Sequence, residues 1–274
     1  MTTSVPAVAG TRGFNALLIG ASGAGKTTAI QTLLECDLDV FVVATEPGLL
    51  EVLGHLRTNP KFHYVEVPMA PTNWDTMISL AQRINGARAD TMANVMDPSK
   101  RDYDQFVTFL ETLADYTDQN GVNFGAVDTW GLDRVLVIDS LSGLNKMILN
   151  LVVGRKPVVS PGEWGAAMGQ VENSVEALCG GVPCHFVVLG HIEREYNEVT
   201  GSVQLMISAP GKKLAPKLNR FFSDVILAYR DGKQFFWSTE QDNVDLKTRN
   251  LPIASKLAPT FVPLYEHWKE QVMG

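Results

Sequence analysis

Gly20-Ala21-Ser22-Gly23-Ala24-Gly25-Lys26-Thr27-Thr28 decides the reading of this chain. It fits G-x-x-x-x-G-K-[ST], follows the apolar run 16–19 and opens a helix-type segment, the context in which that pattern binds phosphate. The small residues let successive backbone N–H groups turn inward on a polyphosphate, and the helix start adds the positive end of its dipole. Lys26 is expected to reach the β- and γ-phosphates, the Thr27 hydroxyl to ligate Mg2+, and Thr28 to bond the α-phosphate. The ligand implied is a nucleoside triphosphate, taken as ATP, with Mg2+.

Working outward, Arg134-Val-Leu-Val-Ile-Asp139-Ser140 is an apolar run ending in an acid. In phosphate-loop NTPases such a strand lies beside the first, and its terminal Asp holds Mg2+, usually through water. Asp128 and Asp133 are nearby, but neither follows an apolar strand. Ser140 stands where a water-activating Glu would sit in some NTPases, so that group is sought elsewhere. Glu46 closes Phe41-Val-Val-Ala-Thr-Glu46-Pro47-Gly48. Ligands of open α/β sheets sit at the carboxyl ends of strands, which makes Glu46 the candidate base. An acid favoured by a helix N-terminus is the bland alternative.

Runs 14–19, 40–44, 62–67, 135–138 and 186–189 read as strands of the buried type, continuously apolar as in a parallel sheet covered on both faces. Helix-type stretches at 26–35, 49–56, 74–84, 103–116, 141–149 and 164–178 alternate with them, which gives an α/β doubly wound fold. Later the rhythm changes. Thr200-Gly201-Ser202 separates two alternating arms between Glu195 and Met206, and Asp231-Gly232 separates 224–229 from 234–238. Both read as hairpins, so the mostly parallel sheet ends in antiparallel strands. Residues from about 85 to 131 form the least regular part, read as an insertion within one domain spanning 1–274.

The 274 residues are 45% hydrophobic and 19% charged, those of an ordinary globular protein. Cys36, Cys179 and Cys184 are too few and too irregular for a disulfide framework or a zinc site, pointing to a reducing cytoplasm. No apolar run approaches the roughly 20 residues that span a bilayer, and the first residues lack a secretion-signal pattern. The net charge of −7 argues against coating nucleic acid by bulk charge. Residues 210–256, however, hold nine Lys and Arg against five Asp and Glu. The five tryptophans are read as packing residues, and the remaining histidines show no ligand spacing.

The phosphate loop, Glu46 on the next strand and Val-Ile-Asp139-Ser140 together resemble the RecA-like core ATPases. Val187-Val-Leu-Gly-His191 adds a strand ending in a polar residue where those proteins place a γ-phosphate sensor. More narrowly, residues 209–227 resemble phage-encoded RecA-like ATP-binding proteins, some of them single-strand annealing proteins or minimal recombinases. The resemblance implies an Mg2+-dependent ATPase acting in single-stranded DNA annealing or homologous recombination. It gives Lys26 and Thr27 phosphate and metal roles, Asp139 the metal, Glu46 the water and His191 the sensor. It further implies a ring or filament in which a neighbour supplies cations in trans, here Lys212, Lys213, Arg220 or Arg249. The DNA-touching loops fall at 152–163, with Arg155 and Lys156, and at 192–208, with Arg194 and Tyr196. Glu193, Glu195 and Glu198 make the second an indifferent reader of phosphates. The chain has no evident Phe-x-x-Ala polymerisation motif before Phe14, leaving residues 2–12 as a short tether. The alternative is a nucleotide-dependent switch or loader acting on a protein partner without touching DNA.

Overall fold

The eight strands are β1 (Asn15–Gly20), β2 (Asp39–Ala44), β3 (Phe62–Glu66), β4 (Arg134–Asp139), β5 (His185–Tyr196), β6 (Val203–Ile207), β7 (Asp224–Asp231) and β8 (Gln234–Ser238). They form one sheet in the order β3-β2-β4-β5-β1-β7-β8, with β6 on the far half of β5. Neighbours from β3 to β7 run parallel, while β8 and β6 pair antiparallel. This is the expected α/β architecture, mostly parallel and ending in antiparallel strands. The computed structural model describes residues 10–67, 74–89, 91–95, 103–154, 156–196, 201–210 and 214–273.

Eight helices lie among these residues: α1 (Lys26–Ala29), α2 (Leu49–Leu53), α3 (Trp74–Gly86), α4 (Gln105–Ala114), α5 (Leu141–Val153), α6 (Pro161–Gly181), α7 (Ala215–Asn219) and α8 (Val262–Met273). Alternate side chains of each central strand enter opposite cores. Leu17, Ile19, Phe41, Val43, Leu136 and Ile138 meet α4, α5, α6 and α7 on one face. Ala16, Leu18, Val40, Val42, Val135 and Val137 meet α1, α2 and α8 on the other. Both faces being covered, the strands had to be apolar at every position.

The order of strands corrects one expectation. β4 does not lie beside β1, because β5 runs between them. Its register aligns His191 with Gly20 on one side and Leu189 with Asp139 on the other. The helix expected over 26–35 is α-helical only through Ala29 and continues as a 3-10 helix, Ile30–Cys36. Thr32 lies in it, its hydroxyl donating to the Ala29 carbonyl at 2.7 Å, a side-chain bond that competes with the regular helical ladder.

Within the irregular stretch near 85–131, the described residues from 106 onward pack into the core. Phe106, Phe109, Leu113, Tyr116, Val127 and Trp130 all belong to one core. The Tyr116 hydroxyl donates to the Val42 carbonyl at 3.0 Å, and the Arg134 guanidinium lies 5.4 Å from the Phe41 ring and 5.3 Å from that of Trp130. Trp130, Trp237 and Trp268 are buried, but Trp74 is 69% exposed, contrary to its reading as a packing residue. The expected hairpins form, with Gly232 at φ 60° in the second. Residues 197–200 of the first turn lie outside the described residues.

Candidate functional site

Four parallel strands deliver their carboxyl ends to one place. β1 leads into the loop 20–28, β2 ends next to Glu46, β4 ends at Asp139, and β5 carries His191 between β4 and β1. A cavity of about 360 Å³ there is lined by Ser22–Thr28, Glu46, Asp139 and His191, and by Pro47–Leu49, Glu51 and Val52. Gly20 and Ala21 lead into it. Gly25, at φ 81°, precedes α1 in the left-handed region that favours glycine, and no side chain caps the helix. The first-turn N–H groups are thus left for an external acceptor.

Lys26 is buried, and its ammonium donates to the carbonyls of Gly20 and Ala21, both at 2.9 Å. Burial pushes its pKa down, opposed by the negative charges of Asp139 and Glu46. Nζ also lies 3.5 Å from His191 Nδ1. Lys26 has only donors to offer, so Nδ1 accepts and the ring proton belongs on Nε2. That nitrogen faces Glu46 Oε2 at 3.5 Å.

Thr27 donates to Asp139 Oδ2 at 2.8 Å. Burial raises the Asp139 pKa, the Thr27 hydrogen bond opposing it and the Glu46 charge reinforcing it. Glu46 Oε2 accepts from the Ser140 hydroxyl at 2.8 Å. The Asp139–Ser140 peptide is cis. Lys26, Thr27, Glu46, Asp139 and His191, widely separated in sequence, form one connected cluster. Thr27 and Asp139 present oxygen ligands of the type that suits Mg2+.

The other expected residues lie elsewhere. Arg155, Lys212 and Lys213 are outside the described residues. Lys156 is not a free cation: it is ion-paired with Glu163, whose carboxylate also completes a capping box with Ser160 at the start of α6. Arg220 and Lys217 both pair with Glu172, at 2.8 and 3.0 Å. The Arg249 backbone N–H donates to Asp224 at 2.8 Å, and the residue is exposed. Arg194 and Tyr196 are exposed on the β5–β6 hairpin. Strand alternation points both away from Glu193 and Glu195, yet all four line one cavity of about 320 Å³ at the hairpin, so the acids stay close to the pair, as their spacing in sequence suggested.

Sequence reasoning missed Arg230, Thr45 and the Ser140 hydroxyl. Arg230 and Arg194 line a second cavity of about 490 Å³ that shares Ser22–Ala24 with the first. A cation at the end of a hairpin strand carries no local signal of that proximity. Thr45 precedes Glu46 and Ser140 follows Asp139, but their pairing depends on β2 lying beside β4.

Fold and geometry define an α/β chain whose phosphate-loop motif sits at the carboxyl ends of its parallel strands. Among solved structures it is similar to the RadB recombinase, with a TM-score of 0.38 and 13% identity over 89% of this chain and 86% of that one. No protein-family model and no curated protein matches the chain. No helix among the described residues is long and apolar enough to cross a membrane.

Proposed function

We propose that this chain is a RecA-like ATPase that binds ATP with Mg2+ and couples its hydrolysis to a grip on single-stranded DNA, in annealing or recombination. The carrying observation is the meeting of Lys26, the Thr27–Asp139 pair, Glu46 and His191 in one cavity. The cavity fits a triphosphate. Lys26 holds two carbonyl oxygens that stand in for phosphate oxygens, and the uncapped start of α1 supplies N–H donors.

Thr27 and Asp139 would hold Mg2+, which when bound neutralises charge on the β- and γ-phosphate oxygens. Lys26 would exchange its loop carbonyls for those oxygens. Glu46 would take a proton from the attacking water as the water oxygen bonds to the γ-phosphorus and the bond to the bridging oxygen of ADP breaks. The products are ADP and phosphate. His191, tied to both Lys26 and Glu46, lies on the strand that continues into the hairpin of Arg194 and Tyr196. Loss of the γ-phosphate thereby reaches the DNA-facing residues through one strand, an order of events known from other nucleotide switches. On the same reading copies of the chain associate into a ring or filament, with the exposed Arg249 as the freer in-trans cation and Arg220 held by Glu172.

A second reading, a nucleotide-dependent loader acting on a protein partner, is favoured by one feature. An apolar groove of about 590 Å³ lies between α4 and α6, lined by Phe106, Phe109, Leu110, Leu113 and Leu178 among others. Fluorescence anisotropy of a labelled oligonucleotide separates the two. Binding that strengthens with a non-hydrolysable ATP analogue and weakens from about 50 to about 200 mM salt is expected for DNA. Arg194→Ala should lower the salt slope by about one, and Tyr196→Ala should weaken binding roughly 10-fold through lost stacking. Salt-independent or absent binding in every nucleotide state rejects the DNA reading. Calorimetry showing ATP heat with Lys26→Ala as strong as the parent's rejects the nucleotide site itself.

A further inference from the structure

We infer that Thr45 and Ser140 form a positioning clasp that orients the Glu46 carboxylate, a role that rests on the hydrolytic reading above. The Thr45 hydroxyl donates to the Ser140 carbonyl at 2.6 Å and accepts from the Ser140 N–H at 2.8 Å. One side chain thus bonds both backbone groups of the residue that follows β4. The Thr45 N–H donates to the Asp139 carbonyl at 2.7 Å, so three bonds join the exit of β2 to the exit of β4. Both residues are buried, Thr45 at 4% exposure and Ser140 at 1%. In such a setting a broken bond leaves a polar group without water to replace its partner.

Two further features show what the clasp serves. Ser140 is the N-cap residue of α5, and serine at that position ordinarily gives its side chain to the helix. Here it makes no capping bond; its hydroxyl goes to Glu46 Oε2 instead. The same oxygen faces His191 Nε2, so Oε2 is engaged from two sides and Oε1 is left for water. The close approach also demands Gly143, where a Cβ would stand 2.4 Å from the Thr45 carbonyl oxygen.

Thr45 and Ser140 touch neither nucleotide nor water in this scheme; they act through Glu46. Misplacement of a reacting group by about 1 Å can cost 10²-fold in rate. Thr45→Val, which keeps the shape and removes the hydroxyl, should lower kcat about 100-fold with ATP affinity by calorimetry within twofold of the parent. Thr45→Ser should restore most of the rate. Ser140→Ala, a smaller change that keeps the backbone bonds, should lower kcat about 10-fold. Independently of turnover, hydrogen exchange at the Ser140 amide of the nucleotide-free protein should quicken in Thr45→Val and not in Thr45→Ser. If Thr45→Val and Ser140→Ala both turn over like the parent while Glu46→Gln is inactive, the clasp is overturned and the hydrolytic reading stands. If Glu46→Gln hydrolyses ATP at the parental rate, that reading falls and the clasp with it.

Discussion

Asp139 sits where its own charge is disfavoured. Burial raises its pKa above the ordinary carboxylate value, the Thr27 hydrogen bond opposes the shift, and the Glu46 charge adds to it. A raised value in the folded protein means that ionising this carboxyl at neutral pH costs folding free energy. Such a cost is sensible where a divalent cation is to be held, because the cation inverts the local balance. Asp139→Asn keeps an oxygen for the Thr27 hydroxyl and removes the charge. The nucleotide-free variant should therefore melt at a higher temperature than the parent, while its kcat falls by about 10²-fold through loss of metal-assisted charge stabilisation. Magnesium with an ATP analogue should raise the melting temperature of the parent far more than that of the variant. A variant that melts lower and still hydrolyses ATP would contradict the assignment of Asp139.

At the scale of elements, β3 is one edge of the sheet, and it is closed from a distance. Gln119 accepts from the Tyr64 N–H at 2.8 Å and donates to the Phe62 carbonyl at 3.1 Å, giving β3 the donor and acceptor that a further strand would offer. Asp118 beside it bonds His63 at 2.9 Å. Exposed edges invite pairing with other chains, and this carboxamide blocks that route. Gln119→Ala should lower stability by about 1–2 kcal/mol, since it unpairs two backbone groups. It should also shift sedimentation toward larger species at high concentration; unchanged stability and unchanged sedimentation would rule the blocking role out. Nothing near β3 in sequence announces this, because the partner comes from 55 residues on. The phosphate loop, Glu46, Asp139 and His191 were legible for the opposite reason: each ends or follows a short apolar run, so chemistry and strand end coincide locally. The placement of β5 between β1 and β4 was not, because strand order is set by pairings that no local pattern encodes. Lys156 carries no sign in the sequence that it is paired, because its partner Glu163 is fixed by packing. The terminal α8 went unread because its apolar residues Leu264 and Trp268 are interspersed with charged ones and form no long run.

Across the whole molecule, part of the basic charge of residues 210–256 is held in ion pairs. Lys217 and Arg220 pair with Glu172, and Lys256 pairs with Asp231, so a count of charges overstated the free cationic surface. The two ends of the described chain meet at one buried imidazole. His185 opens β5, accepts from the Phe14 N–H at 3.3 Å through Nδ1, and touches the rings of Trp268 and Tyr265 on α8. Burial pushes its pKa from 6.5 down to about 3, the Leu132 backbone opposing. A base whose folded value is depressed contributes its stability above the unfolded value and loses it as the unfolded chain takes up the proton. The window therefore opens near pH 6.5 and closes near 3, with a slope of about 1.4 kcal/mol per pH unit inside it. Asp139, with its raised pKa, works in the opposite sense as pH falls, so the comparison is made in an Asp139→Asn background, where urea unfolding should lose about 2 kcal/mol between pH 7 and 5. Adding His185→Asn, whose side-chain oxygen is placed to accept from Phe14, should lower stability at pH 7 because it leaves a cavity, yet keep it nearly level from pH 7 to 5. Level stability of the Asp139→Asn protein across that interval would show that the imidazole protonates in place, and that the aromatic enclosure at the junction of first strand and last helix admits water.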